Sequence, residues 1–470
     1  GILGYEDSVI PDVETALLSR HNILFLGLRG QAKTRMARLM TELLDEYIPV
    51  VEGSEINDDP LNPISTYAKD LIEAKGDNTP IAWLHKSQRY GEKLATPDVS
   101  VADLIGDVDP IKAANLKLTF ADERVIHYGI IPKSNRSIFV INELPDLQAR
   151  IQVALFNILE EGDVQIRGFK LRLPLDILFV FTANPEDYTN RGSIVTPLKD
   201  RIESQILTHY PKDIETALNI TEQEADLDPE QKKNIGVSDL VKRLIEQVAF
   251  EARGSEFVDK KSGVSARLTI SAFENAVSAA ERRAIINKEK NTQVWISDLI
   301  GIIPSITGKI ELVYEGEQEG PYQVAMNLLD KSVRNQFINY FPNPDTLKKR
   351  GKPKGQAAEI KEENPYRSII SWFDKGNSLN LFFNTKDEEK ILQLYKVDGL
   401  QALVKKYFKQ ANEKETALLM EFVLHGLSAF SLISKKVIEG KIEFKDLMGS
   451  MLNLGSASSF EDEFDGEDFS

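Results

Sequence analysis

The chain has no cysteine, which excludes a disulfide framework, a thiol nucleophile and a cysteine-ligated metal centre. Histidine is scarce: His21, His85, His127, His209 and His425 are scattered, with no pair at metal-ligand spacing. No zinc site is expected. Long apolar runs are missing too. Nothing reaches the ~18 residues of a membrane span, and the nearest candidate, 417–433, is interrupted by Glu421 and His425 and reads as a buried helix. Basic residues are in deficit: 57 Lys and Arg stand against 73 Asp and Glu, a net charge of −16. That argues against a broad nucleic-acid surface, though it leaves room for a local basic pore loop. No signal peptide is visible, and the lack of thiols fits a cytoplasmic protein. The abrupt start at Gly1, a few residues before a helix, points to residues missing upstream.

What is present is ordinary in bulk: 470 residues, 42% apolar and 28% charged, with room for about two to four domains. The stretch that organises the chain is 22–34, NILFLGLRGQAKT. Residues 23–26 are apolar in a row, as in a strand buried on both faces of a parallel sheet. Gly27 and Gly30 let the backbone wrap and turn its N–H groups toward an anion. Lys33 offers a point charge for β/γ-phosphates, and the Thr34 hydroxyl a ligand for Mg²⁺. A helix over 35–47 would set the phosphates at its N-terminus. Ala32 stands where this P-loop pattern usually has its second glycine. One extra methyl and a negative φ would make it a tolerated variant. Taken alone, the pattern also fits a strand–turn–helix with an exposed lysine.

Further along, 5–19 reads as a short helix, 49–63 as a strand and an acidic, proline-punctuated loop, 68–74 as helix and 82–85 as a short strand. Residues 96–109 carry loop and turn signals. Residues 137–143 (SIFVINE) form a second buried strand ending in Asn142 and Glu143, at the end where open parallel sheets bind ligands. An amphipathic helix over 150–160 precedes a hairpin at 163–173, centred on Arg167-Gly168. Residues 177–183 are a third buried strand, closed by Asn184-Pro185. After Pro211 the pattern turns helical, with helices at 214–231, 237–251, 265–288 and 324–340. A Pro-, Gly- and Lys-rich linker at 341–364 and a mostly helical segment at 368–433 follow. The acidic tail 461–470 (EDEFDGEDFS) reads as disordered.

These three strands stand in the order and rough spacing of an AAA+ ATPase. The chain resembles the magnesium-chelatase subunit I branch, close to the MoxR-type ATPases, over about residues 2–323. ADLIGDVDP, HYGIIPKSNRSIFVINELPDL, TANPEDY, TPLKDRI and GVSARLTI carry the resemblance. It implies an α/β AAA+ P-loop sandwich with a parallel sheet over 1–211, with an insertion at about 94–135 and a hairpin at 164–174. A helical lid over 212–323, a mostly helical domain over 324–450 and a disordered tail over 451–470 would follow. It also implies ATP held by Gly27, Arg29, Gly30, Gln31, Ala32, Lys33, Thr34 and Arg35, with Mg²⁺ at Thr34 and Asn142.

In the same terms Glu143 matches the Walker B glutamate, Asn184 sensor 1, Arg201 the arginine finger and Arg267 sensor 2. Asn142 departs from the family's aspartate. A unit charge ~4 Å from another contributes ~4 kcal/mol at an effective dielectric of 20. Weaker Mg²⁺ binding is therefore expected, not a dead site. Plainer readings stay open: Asn142 as a helix cap near Asp146, Asn184 as a turn, Arg201 paired with Asp200 or Glu203, Arg267 as an ordinary helix start. Arg167, Phe169 and Lys170 at the hairpin are candidate partner contacts or solubilising residues. The resemblance suggests an ATP-hydrolysing ring, hexameric, that remodels a partner bearing a von Willebrand A-type domain. The alternatives are the motor subunit of a tetrapyrrole magnesium chelatase and an ATP-binding scaffold with little hydrolysis. No helix-turn-helix module or GAFTGA-like loop supports a DNA-binding activator.

Overall fold

The computed structural model describes residues 1–118, 123–161, 164–166, 169–171, 173–185, 193–349 and 364–447. It divides into two compact units, 1–211 and 212–470.

In the first unit, five parallel strands among the described residues form one sheet. They are β1 (Ile23–Leu26), β2 (Tyr90–Leu94), β3 (Ser137–Asn142), β4 (Ile177–Ala183) and β5 (Ser204–Leu207), in the order β5-β1-β4-β3-β2. Alternation along each strand explains the continuous apolar runs. Leu24, Phe139, Ile141, Phe179 and Phe181 enter one core, while Ile23, Phe25, Ile138, Val140 and Val180 enter the other. A strand apolar at every position is what a sheet covered on both faces requires. Helices α1 (Val9–Leu18) and α2 (Lys33–Leu39) contribute to the second of these cores, and α3 (Ala149–Glu161) to the first. The expected α/β sandwich is what the structure holds.

Several elements differ from expectation. The helix expected over 35–47 stops at Leu39, continues as a 3₁₀ turn over Met40–Leu43, and gives way to a strand, Tyr47–Val51, paired antiparallel with Ile81–His85. Pro49 and the β-branched run around it cannot continue a helix. The helical reading of 214–231 breaks in two, because Asp228 caps a new helix with Pro229 at its first position. Strand β2 (YGEKL) has no continuous apolar run to mark it in the sequence. The described residues of 94–135, the stretch expected to be an insertion, carry short helices and a ribbon, Gly106–Val108 with Ile126–Tyr128. Val164–Ile166 pairs with Phe169–Leu171 as a hairpin. Arg167, the side chains of Phe169 and Lys170, most of the 341–364 linker and the 451–470 tail lie outside the described residues.

The second unit is mainly helical, built around α4 (Asp239–Gly254), α5 (Arg267–Asn287), α6 (Pro321–Tyr340) and α7 (Glu413–Ala429). It also holds an antiparallel sheet, β6 (Leu379–Phe382), β7 (Ser434–Ile438) and β8 (Lys441–Lys445), in the order β6-β8-β7. One buried core runs from Ile235 to Phe444. Several buried charged groups are paired there. Arg283 meets Asp298 at 3.1 Å and Asp387 at 2.7 Å, and Asp387 also accepts from Trp295 Nε1 at 2.8 Å. Burial alone would raise the Asp387 carboxyl; the Trp295 hydrogen bond and the Arg283 charge hold it below its ordinary value. Among the described residues no helix is long and apolar enough to cross a membrane.

Glu246 on α4 is buried, with Thr221 Oγ1 donating to its Oε1 at 2.6 Å, and burial pushes its carboxyl up to about 7, outweighing the hydroxyl hydrogen bonds and the Arg253 charge. A folded-state value above the unfolded one gives stability that is full below pH ~4 and is lost as pH rises through the folded value. Glu246→Gln should therefore be more stable than wild type at pH 8 by roughly 3 kcal/mol, with the advantage vanishing near pH 4. Urea melts at the two pH values read this directly, and equal gaps at both would contradict it.

Candidate nucleotide site

The carboxyl ends of β1, β3 and β4 lie side by side, with Leu26 in register with Ala183 and Phe181 with Ile141. Each strand therefore delivers its next residues to one edge of the sheet. Gly27 leaves β1 there, its N–H donating to Ala183 O at 3.2 Å. A Cβ on Gly27 would fall 2.0 Å from Thr208 Oγ1 and 2.3 Å from Gln31 Oε1. A larger residue would have to break the Thr208–Gln31 hydrogen bond or shift the loop. The loop is tied down from several sides: Thr208 Oγ1 donates to Gln31 Oε1 at 2.6 Å, Tyr5 Oη to Gln31 O at 3.0 Å and Tyr210 Oη to Arg29 O at 2.9 Å. Gln31 is buried and Arg35 exposed.

Ala32 overturns one expectation. It sits at φ 57°, ψ 17°, in the left-handed region, not at a negative φ. Gly30 is also left-handed, at φ 72°. The turn into α2 needs that backbone whichever residue occupies position 32. An L-residue there costs roughly 1–2 kcal/mol, so the methyl group is strained, not neutral.

Beyond the turn, Lys33 Nζ donates to Gly27 O, to Leu28 O at 2.9 Å and to Asn184 Oδ1 at 2.6 Å. Thr34 Oγ1 donates to Asn142 Oδ1 at 3.0 Å. The structure thus brings together Lys33, Thr34, Asn142 and Asn184 from three parts of the sequence. Asn142 is not a helix cap. Its Oδ1 also accepts from Thr182 Oγ1 at 3.1 Å, and its Nδ2 donates to Glu92 Oε1 at 2.6 Å. Thr182 Oγ1 in turn accepts from the Glu143 N–H at 3.1 Å. Glu143 itself takes φ 56°, ψ 48° as it leaves β3, a left-handed turn rarely adopted without glycine.

Glu92 is the residue that reading the sequence missed. It lies on β2, in register with Val140, on the same side of the sheet as Asn142. Its other oxygen accepts from Arg38 Nε at 3.0 Å and Arg38 Nη2 at 2.8 Å, and from Tyr90 Oη at 3.0 Å. The Glu92 carboxylate holds the Arg38 guanidinium above its ordinary value. Burial, then the nearness of Glu92, pushes the Tyr90 hydroxyl up to about 12. Arg38 is 63% exposed, so that ion pair contributes only ~0–1 kcal/mol. The structural consequence of Glu92 lies on its buried side, at Asn142.

The remaining two candidates stand elsewhere. Arg201 follows a short helix, Thr196–Asp200; its guanidinium lies 4.0 Å from the Phe156 ring centroid, donates to Pro197 O at 3.0 Å and lies 3.6 Å from Asp200. Arg267 opens α5 in the second unit, its N–H donating to Ser265 Oγ at 3.1 Å. For Mg²⁺, the available donors are the Thr34 hydroxyl and the Asn142 carbonyl oxygen. Both are hard oxygens of the kind the ion takes alongside substrate phosphates. Among the described residues no cluster of three His, Cys, Asp or Glu side chains competes for a metal.

The fold and this edge define a P-loop α/β domain. No family model matches the chain, and no protein of curated function matches it. Many solved structures are similar at low identity, among them the following three. A proposed ATPase of Cytophaga hutchinsonii is 18% identical, over 70% of this chain and 90% of its own, with a TM-score of 0.28. A complex of the magnesium-chelatase subunits BchI and BchD gives 18%, 67% and 97%, with a TM-score of 0.35. NtrX of Brucella abortus with ADP gives 12%, 74% and 67%, with a TM-score of 0.38. Such values carry neither ligand nor partner over to this chain.

Ala32→Gly should relieve the left-handed strain. Against the added freedom of the unfolded chain, the net gain is ~0.5–1 kcal/mol, about 2 °C in the melting temperature of the first unit. Calorimetry reads it, and a lower melting temperature would contradict the strain.

Proposed function

We propose that the chain is an ATP-hydrolysing motor of AAA+ type. The observation that supports this best is the meeting of Lys33, Thr34, Asn142 and Asn184 at one edge of a parallel sheet. In this reading the P-loop N–H groups and Lys33 grip the triphosphate, with Lys33 exchanging its bonds to Gly27 O and Leu28 O for phosphate oxygens. Thr34 and Asn142 would hold Mg²⁺, which supplies charge neutralisation on the β- and γ-phosphates. Glu143 polarises the attacking water, and Asn184 orients it. Arg201, supplied to a neighbouring protomer, stabilises the charge that develops on the transferred phosphoryl group. It must first leave Phe156 and Pro197, which couples turnover to assembly. By the sequence resemblance, Arg267 takes the role of sensor 2.

The sequence resemblance extends the proposal to a hexameric ring in the cytoplasm acting on a protein with a von Willebrand A-type domain. A chelatase motor is its narrower form. A second reading, an ATP-binding scaffold that scarcely hydrolyses, draws on Asn142 in place of aspartate.

Steady-state phosphate release separates the two. Glu143→Gln should lower the rate by ~10²–10⁴ while ATP still binds, and Arg201→Ala by ~10³ or more. Equal rates in wild type and both variants would exclude the motor and leave the scaffold.

A further inference from the structure

Asn142 carries an amide, so either end could face the P-loop, and an amide holds one orientation only if its neighbours impose it. Two of the three neighbours are hydroxyls, Thr34 and Thr182, which donate or accept equally well. The third is Glu92, a carboxylate that only accepts, 2.6 Å from Asn142 Nδ2. Glu92 therefore decides the question: Nδ2 must face β2, and Oδ1 must face Thr34. Arg38, one helical turn beyond Thr34 on α2, takes the second Glu92 oxygen. The chain of contacts Thr34–Asn142–Glu92–Arg38 starts and ends on the same helix.

From this we propose that Glu92 is a positioning residue for the divalent cation of the bound nucleotide. It holds the Asn142 carbonyl oxygen toward the cation and places a carboxylate, itself paired with the exposed Arg38, one strand further out where residue 142 has none. The work of one aspartate is divided between an amide that touches and a carboxylate that stands behind it. Metal ligands are commonly oriented by such partners, whose loss lowers metal affinity by about 10–100-fold. The inference rests on the nucleotide reading above.

The pair also makes an unusual statement about substitution. Asn142→Asp alone, the change toward the family pattern, would set two carboxylates 2.6 Å apart. Glu92→Gln alone leaves two neutral amides, either of which can turn. The double variant Asn142→Asp with Glu92→Gln exchanges the partners, keeping the volume, the hydrogen bond and the pair's single negative charge.

The test titrates a fluorescent ATP analogue into the full chain with Mg²⁺ and again with a chelator, for wild type, both single variants and the double. Thermal melts of the apo proteins run alongside. The quantity read is the factor by which Mg²⁺ tightens binding. Glu92→Gln should reduce that factor about tenfold and leave binding in chelator unchanged. Asn142→Asp should lower the apo melting temperature and fail to raise the factor. The double variant should recover both the melting temperature and the factor, to at least the wild-type value, a non-additive cycle. Because the exchange is isosteric, the double variant remains readable even where a single variant folds poorly. A factor within twofold of wild type in Glu92→Gln, or one raised as much by Asn142→Asp alone as by the double, overturns the proposal. Wild-type protein that binds no ATP under either condition overturns the nucleotide reading as well, so the two failures look different.

Discussion

A single carbonyl oxygen joins the elements on which the candidate site depends. Asn142 Oδ1 accepts from Thr34 on α2 and from Thr182 on β4, so the helix that follows the P-loop is registered against two neighbouring strands through one atom. Parallel pairing makes this possible. The strands deliver their carboxyl ends to one edge, and side chains two residues apart fall on one face, which here is the face that α2 covers. Lys33 repeats the arrangement one step away, tying the loop's own carbonyls to Asn184 at the end of β4. The site is thus a direct product of sheet register, and a slip of one residue in β3 would turn Asn142 to the opposite face.

Two residues at this edge hold backbone conformations that side chains seldom accept. Ala32 turns the loop into α2, and Glu143 turns the chain away from β3, both in the left-handed region. Their origins differ. At Ala32 the geometry belongs to the loop and the methyl group is an added cost. At Glu143 the turn moves the carboxylate out of the strand's alternation, and the Glu143 N–H bond to Thr182 holds it there. Strain of this kind persists where surrounding contacts over-determine the backbone, and the bonds from Tyr5, Thr208 and Tyr210 to the loop are contacts of that sort.

The sandwich was legible in the sequence because a strand buried on both faces leaves an unbroken apolar run, as in ILFL, SIFVIN and ILFVFTA. The P-loop was legible from its glycines and its Lys-Thr pair. What escaped were features set by pairing, not by local pattern. YGEKL has no continuous apolar run, since it lies at the sheet's edge with every residue at least partly exposed. Only its register with β3 makes Glu92 a neighbour of Asn142. The left-handed Ala32 escaped because alanine carries no signal of its own backbone state. The small sheet of the second unit escaped because β7 and β8 are lysine-rich, and because β8, the strand that pairs with β6, lies across a long, mostly helical stretch of chain from it.

Glu421 has a consequence for how the chain can be divided. It lies on α7, yet its two oxygens accept from the backbone N–H groups of Ile296 at 3.0 Å and Ser297 at 3.1 Å, all of them buried. The late helix is thus an interior wall of the second unit. A fragment ending before residue 413 would take away the Glu421 acceptor of two buried amide protons and lay the apolar side chains of the 3₁₀ segment Ile296–Ile302 open to water.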